Sequence, residues 1–181
     1  MLRTRVGYCG GDKESPSYYS MGDHTEAISI DYDPSVISYS DLLVYFWKGH
    51  RCDASNTRTQ YMNAVFYRNE EQKKLAEESM VKWAANLGVS TALIATKILP
   101  VKEFTYAEKY HQKYQIRGSI RRALDDLYPN SKALADSTVA TRLNAYLGYG
   151  IQRDKEKFLA ELGEYGLPEK LESKVRKSLD F

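Results

Sequence analysis

Hydrophobic positions in the first part of the chain recur with two periods, and in the last part with only one. Leu2 to Tyr8 reads as a strand stopped by the pair Gly10-Gly11, since paired glycines favour turns over extended backbone. A turn-rich loop with Pro16, Gly22 and Asp23 follows. Ile28, Ile30 and Tyr32 then alternate with Ala27, Ser29 and Asp31 up to Asp33-Pro34, the period of two that marks a half-buried strand. Ser38 with Asp41 forms a helix N-cap with an acidic third position. The helix it opens carries Leu42, Leu43, Phe46 and Trp47 at helical spacing and closes at Gly49. A short strand is predicted from Asn63 to Tyr67. Asn69 with Gln72 opens a second helix, Glu70 to about Leu87, with Leu75, Ser79 and Trp83 along one face and Gly88 ending it. Ala92 to Leu99 is a β-rich run stopped by Pro100.

Beyond Tyr114 every pattern is helical: Ile116 to Leu127, Leu134 to Leu147, Lys155 to Leu162 and Glu169 to Leu179. The expectation is an α+β domain over residues 1–114, a mixed sheet flanked by helices, followed by an all-helical C-terminal extension over residues 115–181.

Composition narrows the class without naming a function. An apolar share of 43% and a charged share of 28% place the chain among ordinary globular proteins and argue against disorder. A net charge of +2 gives no electrostatic reason to expect nucleic acid or an acidic membrane as partner. The longest uncharged apolar stretch, Val89 to Thr96, is too short to cross a bilayer. The opening MLRTRVGYCGG has no apolar core of the kind a secretory signal needs. Two cysteines, Cys9 and Cys52, cannot build a disulfide framework, so a reducing compartment, the cytoplasm, is expected, with a monomer as the simplest state.

Three islands are polar where a plain scaffold has no need of it: Tyr8 with GGDK and then GDHTE ending at Glu26; Asn56 to Tyr61; and AEKYHQKY from Ala107 to Tyr114. Glu26, at the mouth of a strand beside Asp23 and His24, is either a solvated strand-end residue or, where partly desolvated, a general acid. Tyr8 and Tyr61 are either amphipathic core-edge tyrosines or hydroxyl donors to a polarised oxygen. His111 is a candidate base or a structural helix residue. The three histidines and two cysteines have no metal-ligand spacing, and Gly10-Gly11 sits in no phosphate-binding frame.

Five stretches occur in an order that resembles the A-type peptide methionine sulfoxide reductases: TRVGYCGG, SYYSMGDHTEAISIDYDP, SYSDLLVYFWKGH, TQYMNAVFY and FTYAEKYHQKY. The second is similar to that family's P-T-Y…GHTE-V-x-I-x-Y-D-P run, and ATRLNAYLGYG in the tail resembles an extension found in some members. The resemblance implies a ferredoxin-like α+β fold and reduction of methionine-S-sulfoxide, free or in proteins. A thiolate attacks sulfur, a second thiol resolves the sulfenic acid, and no cofactor is needed beyond an external reductant, thioredoxin. It further implies Glu26 as proton donor, Tyr8 and Tyr61 as hydroxyls on the sulfoxide oxygen, and Asn56 and His111 in substrate binding. The family's nucleophile lies in a G-C-F-W-G motif that no stretch here matches, so the expected fold lacks the first strand and first helix. The loop from His50 to Tyr61 is shorter than the family's, with Asn56 at an aspartate position that Asp53 could fill. Cys9 and Cys52, the latter beside Arg51, are then the candidates for thiol roles. The alternative is a non-catalytic protein that binds methionine sulfoxide.

Overall fold

The computed structural model describes residues 1–54 and 58–179, with the backbone alone over 149–153. Strand β1 (Arg3–Cys9) is central in a three-stranded sheet ordered β2-β1-β5, where β2 is Thr25–Asp31 and β5 is Phe104–Tyr106. β1 and β5 run antiparallel with Gly7 opposite Tyr106, Tyr8 opposite Thr105 and Cys9 opposite Phe104. Gly7 is obligatory at that pairing, because a Cβ there would lie 2.2 Å from the Thr105 carbonyl oxygen. Strands β3 (Ala64–Tyr67) and β4 (Lys97–Pro100) form a separate parallel pair. The α+β class is as expected, but the hydrogen bonding divides into two small sheets rather than one mixed sheet.

Helix α1 (Tyr39–Lys48) begins as its sequence dictates. The Ser38 hydroxyl accepts from the Asp41 N–H at 3.1 Å while the Asp41 carboxylate accepts from the Ser38 N–H at 3.0 Å, a reciprocal cap that satisfies two otherwise orphaned donors. Helix α2 (Glu70–Leu87) starts at the Asn69 cap and stops at Gly88, whose φ of 68° a side chain would resist. The two helices are tied by the Trp47 indole N–H, which donates to Ser79 Oγ at 2.8 Å. Leu43, Trp47, Val65 and Ala76 are the buried centre of this packing, joined by Cys52. The β-rich run after Ser90 is strand only from Lys97. Its first part winds into a 3-10 turn (Thr91–Leu93) because the Ser90 hydroxyl accepts from the Ala92 N–H and holds that backbone out of extension.

The chain separates into two compact units, one holding Met1 and Gly7–Tyr106, the other Leu2–Val6 and Ala107–Phe181. The division falls at Tyr106/Ala107, earlier than the Tyr114 boundary read from the periodicity, and it passes through β1. In the helical unit α3 is Gly118–Leu127, α4 Ser131–Asp136, α5 Thr138–Ala145, α6 Ile151–Leu162 and α7 Glu169–Lys177. The single helix expected from Leu134 to Leu147 is broken by Ser137, which closes α4 and caps α5 by accepting from the Ala140 N–H at 3.0 Å. Leu124, Leu134, Leu143, Phe158, Leu162 and Val175 are fully buried there and form its core.

The third polar island belongs to this unit and is structural. The Gln112 amide copies a strand partner, accepting from the Val6 N–H at 3.1 Å and donating to the Val6 carbonyl at 2.8 Å. Lys113, with a left-handed φ of 53°, is 4% exposed. Its ammonium donates to the Thr4 carbonyl, to the Ala135 carbonyl at 2.9 Å and to Thr141 Oγ1 at 2.8 Å. Burial and the Arg5 charge pull this lysine down to about 8, with Asp136 opposing them.

Candidate active site

The loop between β1 and β2 is shaped by its own polar residues. His24, buried, donates from Nε2 to the Lys13 carbonyl at 2.8 Å, which leaves Nδ1 bare to accept from the Gly11 N–H at 3.3 Å. The Asp23 carboxylate accepts from the N–H groups of Asp12 and Lys13 at 2.9 and 3.2 Å, and those donors hold it below the usual carboxylate range. By sequence this segment is a candidate chemical island. In the fold, Asp23 and His24 brace a loop that carries Tyr18.

At the far side of that loop β2 begins, and a 3-10 turn, Thr59–Tyr61, is fastened to it. The buried hydroxyl of Thr25 donates to the Thr59 carbonyl at 2.8 Å, and the Gln60 amide donates to Glu26 Oε1 at 2.8 Å. Successive residues of a 3-10 turn project about 120° apart, so Gln60 meets Glu26 while Tyr61 addresses a different neighbour. That neighbour is Tyr18. Its phenol is pushed up chiefly because its proton is held by Tyr61, with the Glu26 charge adding to the effect. Tyr61 is 40% exposed.

Glu26 also lines a cavity of about 330 Å³ walled by apolar side chains, among them Ile28, Leu42, Phe46, Val65 and Phe104. A carboxyl group lining such a cavity, with two phenols close to it, can hold a polar, acceptor-only oxygen whose substituents are apolar, and can pass a proton to it. Among the described residues no group of three or more His, Cys, Asp or Glu could hold a metal ion.

The site residues expected from the sequence divide accordingly. Glu26 and Tyr61 are brought together. Tyr8 is 2% exposed inside the three-stranded sheet, and the tyrosine whose hydroxyl meets Tyr61 is Tyr18, a residue outside the expected set. The signal for it was present: Pro16-Ser17-Tyr18 stands where the quoted family run has P-T-Y. Asn56 lies outside the described residues. His111 belongs to the helical unit, half-buried, its ring 4.3 Å from that of Tyr110 and Nε2 3.9 Å from a Glu108 oxygen. Glu26 itself is exposed, so the desolvation that an acid role calls for is not provided by its protein neighbours alone.

Neither cysteine is placed as an attacking thiolate. Cys9 is 1% exposed, and burial, the largest influence, pushes its thiol up, away from the thiolate form, against smaller opposing effects from the Gly10 backbone and Arg68. Cys52 is 3% exposed in the α1–α2 core. Arg51, the cation expected to activate it, is engaged by Asp53 at 2.9 Å, which also occupies the carboxylate proposed as a stand-in for position 56.

An α+β fold with this cluster has close counterparts. The model of the peptide methionine sulfoxide reductase family matches residues 1–142, and the chain belongs to that family. The match runs into α5, so the first tail helices are part of the family pattern. A peptide methionine sulfoxide reductase of Drosophila melanogaster is 41% identical over 169 residues, covering 92% of this chain and 66% of that protein. The reductase MsrA of Leifsonia xyli subsp. xyli is 40% identical over 119 residues, covering 63% of this chain and 70% of that one. Among solved structures, Mxr1 from Saccharomyces cerevisiae in reduced form superposes with a TM-score of 0.56 at 32% identity, over 61% of this chain and 68% of that one. The chain spans about two thirds of the length of these relatives.

Proposed function

We propose that the Glu26–Tyr18–Tyr61 cluster binds the oxygen of methionine-S-sulfoxide and supplies the proton for its thiol-dependent reduction to methionine. The observation that carries this is the convergence of two hydrogen-bonded phenols with a carboxyl group that itself lines a largely apolar cavity. A sulfoxide is a strong acceptor with no proton of its own, flanked by methyl and methylene groups, and this arrangement complements both features. In the reaction a thiol sulfur bonds to the sulfoxide, oxygen is transferred to it with a proton, and the thioether leaves. The products are a sulfenic acid and methionine. A second thiol condenses with the sulfenic acid to give a disulfide and water, and a dithiol reductant, of which thioredoxin is the natural class, restores the thiols. A cytoplasmic monomer acting on free or protein-bound sulfoxide fits this reading.

The burial of both cysteines favours one second reading, binding of methionine sulfoxide without turnover. A single set of measurements separates the two. The chain, with Cys9→Ser and Cys52→Ser beside it, is given a methionine-S-sulfoxide peptide and dithiothreitol, and both turnover and binding are measured. Turnover lost in one cysteine variant supports reduction and identifies the thiol. Binding without turnover supports the second reading. Neither binding nor turnover overturns both.

A further inference from the structure

The turn Thr59–Tyr61 makes two of the contacts that define the cluster, Gln60 on Glu26 and Tyr61 on Tyr18. It has three residues and no side-chain cap at its start, and 3-10 turns of this length are marginal without outside support. Among the described residues, two side-chain bonds fasten it to β2. One is the Gln60 amide on Glu26, at the surface, where water competes for donor and acceptor alike. The other is the Thr25 hydroxyl, which donates to the Thr59 carbonyl at 2.8 Å across 34 positions of sequence. Thr25 is 2% exposed, and a bond whose donor is shielded from water is the stronger of two otherwise similar ones. The Thr59 carbonyl also accepts from the Met62 N–H at 3.1 Å, the bond that closes the turn. One oxygen thus both shapes the turn and docks it.

We propose that Thr25 is the positioning residue of the site: its hydroxyl holds the turn against β2 and so sets Gln60 on Glu26 and Tyr61 on Tyr18 at once. The inference rests on reading the Glu26 cluster as the sulfoxide site, and it adds to that site a residue that touches no reacting atom. Thr25 stands one position before Glu26. Side chains of a strand alternate between its two faces, so the two residues take hold of the turn from different sides. Gln60 and Tyr61 in turn project in different directions from one short turn. A tilt of the turn that separated Gln60 from Glu26 would therefore separate Tyr61 from Tyr18 as well. The carboxyl group and the phenols are placed before any ligand arrives, and a ligand that needs all three does not bear the cost of ordering them. Threonine suits the task, because its branched side chain has few rotamers and its hydroxyl can donate from a buried position.

The test combines the ionisation of Tyr18, followed by NMR of ring-labelled tyrosine, with NMR titration of N-acetyl methionine-S-sulfoxide amide. Both are made on the parent, Thr25→Val, Thr25→Ser and Gln60→Met, and neither requires turnover. Thr25→Val keeps the shape of the side chain and removes its donor. It is expected to lower the pH at which Tyr18 ionises and to weaken sulfoxide binding about tenfold, the cost of ordering on binding what the hydroxyl orders beforehand. Thr25→Ser keeps the hydroxyl and is expected to retain both parent values. Gln60→Met cuts the amide contact and leaves the Thr25 bond, so Tyr18 should ionise where it does in the parent. A Tyr18 titration unmoved by Thr25→Val, or moved equally by Thr25→Ser or Gln60→Met, overturns the inference whether or not sulfoxide binds. A moved Tyr18 with undiminished sulfoxide affinity overturns the positioning role and leaves Thr25 with a structural bond. A parent that binds no sulfoxide, with Tyr18 still moved by Thr25→Val, overturns the sulfoxide reading and this inference with it.

Discussion

Glu26 and Lys113 both stand in polar stretches that look alike as sequence, and the fold uses them in opposite ways. Lys113 is buried with three oxygen acceptors arranged around its ammonium, two of them main-chain carbonyls. Its hydrogen-bonding capacity is consumed by the protein. Glu26 is exposed and receives an amide donor, and the nearby Tyr61 is 40% exposed. A polar residue with its valences filled internally holds a structure together, whereas one with valences facing a cavity is available to a ligand. Burial marks the difference, and the count of donors against acceptors explains it.

Glu26→Gln tests the functional side of this contrast most severely. Sulfoxide reduction is expected to fall by roughly a hundredfold or more, the usual contribution of a positioned general acid, while the melting temperature stays where it was. A parallel fall in melting temperature would place Glu26 with Lys113 as a structural residue. Lys113→Met is expected to do the reverse, lowering stability in urea by about 3 kcal/mol because two carbonyls and the Thr141 oxygen lose their donor, with sulfoxide affinity retained in the folded fraction. A smaller effect is expected from Tyr61→Phe. Removing the acceptor of the Tyr18 proton lets Tyr18 ionise at a lower pH than in the parent, followed by NMR of ring-labelled tyrosine. An unchanged Tyr18 titration would remove the pairing that defines the site.

The weakest effect is a slope of stability with pH. Lys113 is lowered in the fold from an ordinary 10.5 to about 8. Below pH 8 it is charged in both states, and the penalty for burying it is fully present. Between pH 8 and 10.5 the unfolded chain keeps a proton the folded chain has released, so this residue makes stability rise with pH across that window. Urea titrations of the parent and of Lys113→Met at several pH values should show the rise only in the parent. A parent slope no different from the variant's would mean that the three acceptors outweigh burial and keep the ammonium charged.

Local signals carried much of the fold into the sequence. Ser38 with Asp41, and Asn69 with Gly88, mark the ends of α1 and α2 because caps are made by residues three positions apart or by the final residue alone. β5 was not legible: three residues give no period, and only pairing with β1 makes them a strand. The break at Ser137 was hidden because one side chain both ends α4 and starts α5. In the site, Glu26 and Tyr61 were legible through a motif. Tyr18 depends on a contact across more than forty positions with a 3-10 turn that periodicity does not reveal. The structural part played by Gln112 and Lys113 was hidden for a similar reason. Their acceptors lie on residues 4 and 6, and no local pattern distinguishes a buried glutamine completing a strand from an exposed one awaiting substrate.

β1 has a consequence for the order in which the molecule can be assembled. Its first residues complete the helical unit, and its last residues pair with β5. The helical unit thus draws on residues synthesised more than a hundred positions before its own. On a ribosome those residues emerge first and wait, unable to finish anything, until Gln112 and Lys113 arrive. A lesion in the first six residues would therefore be felt at the other end of the chain, as a helical bundle that is made but does not close.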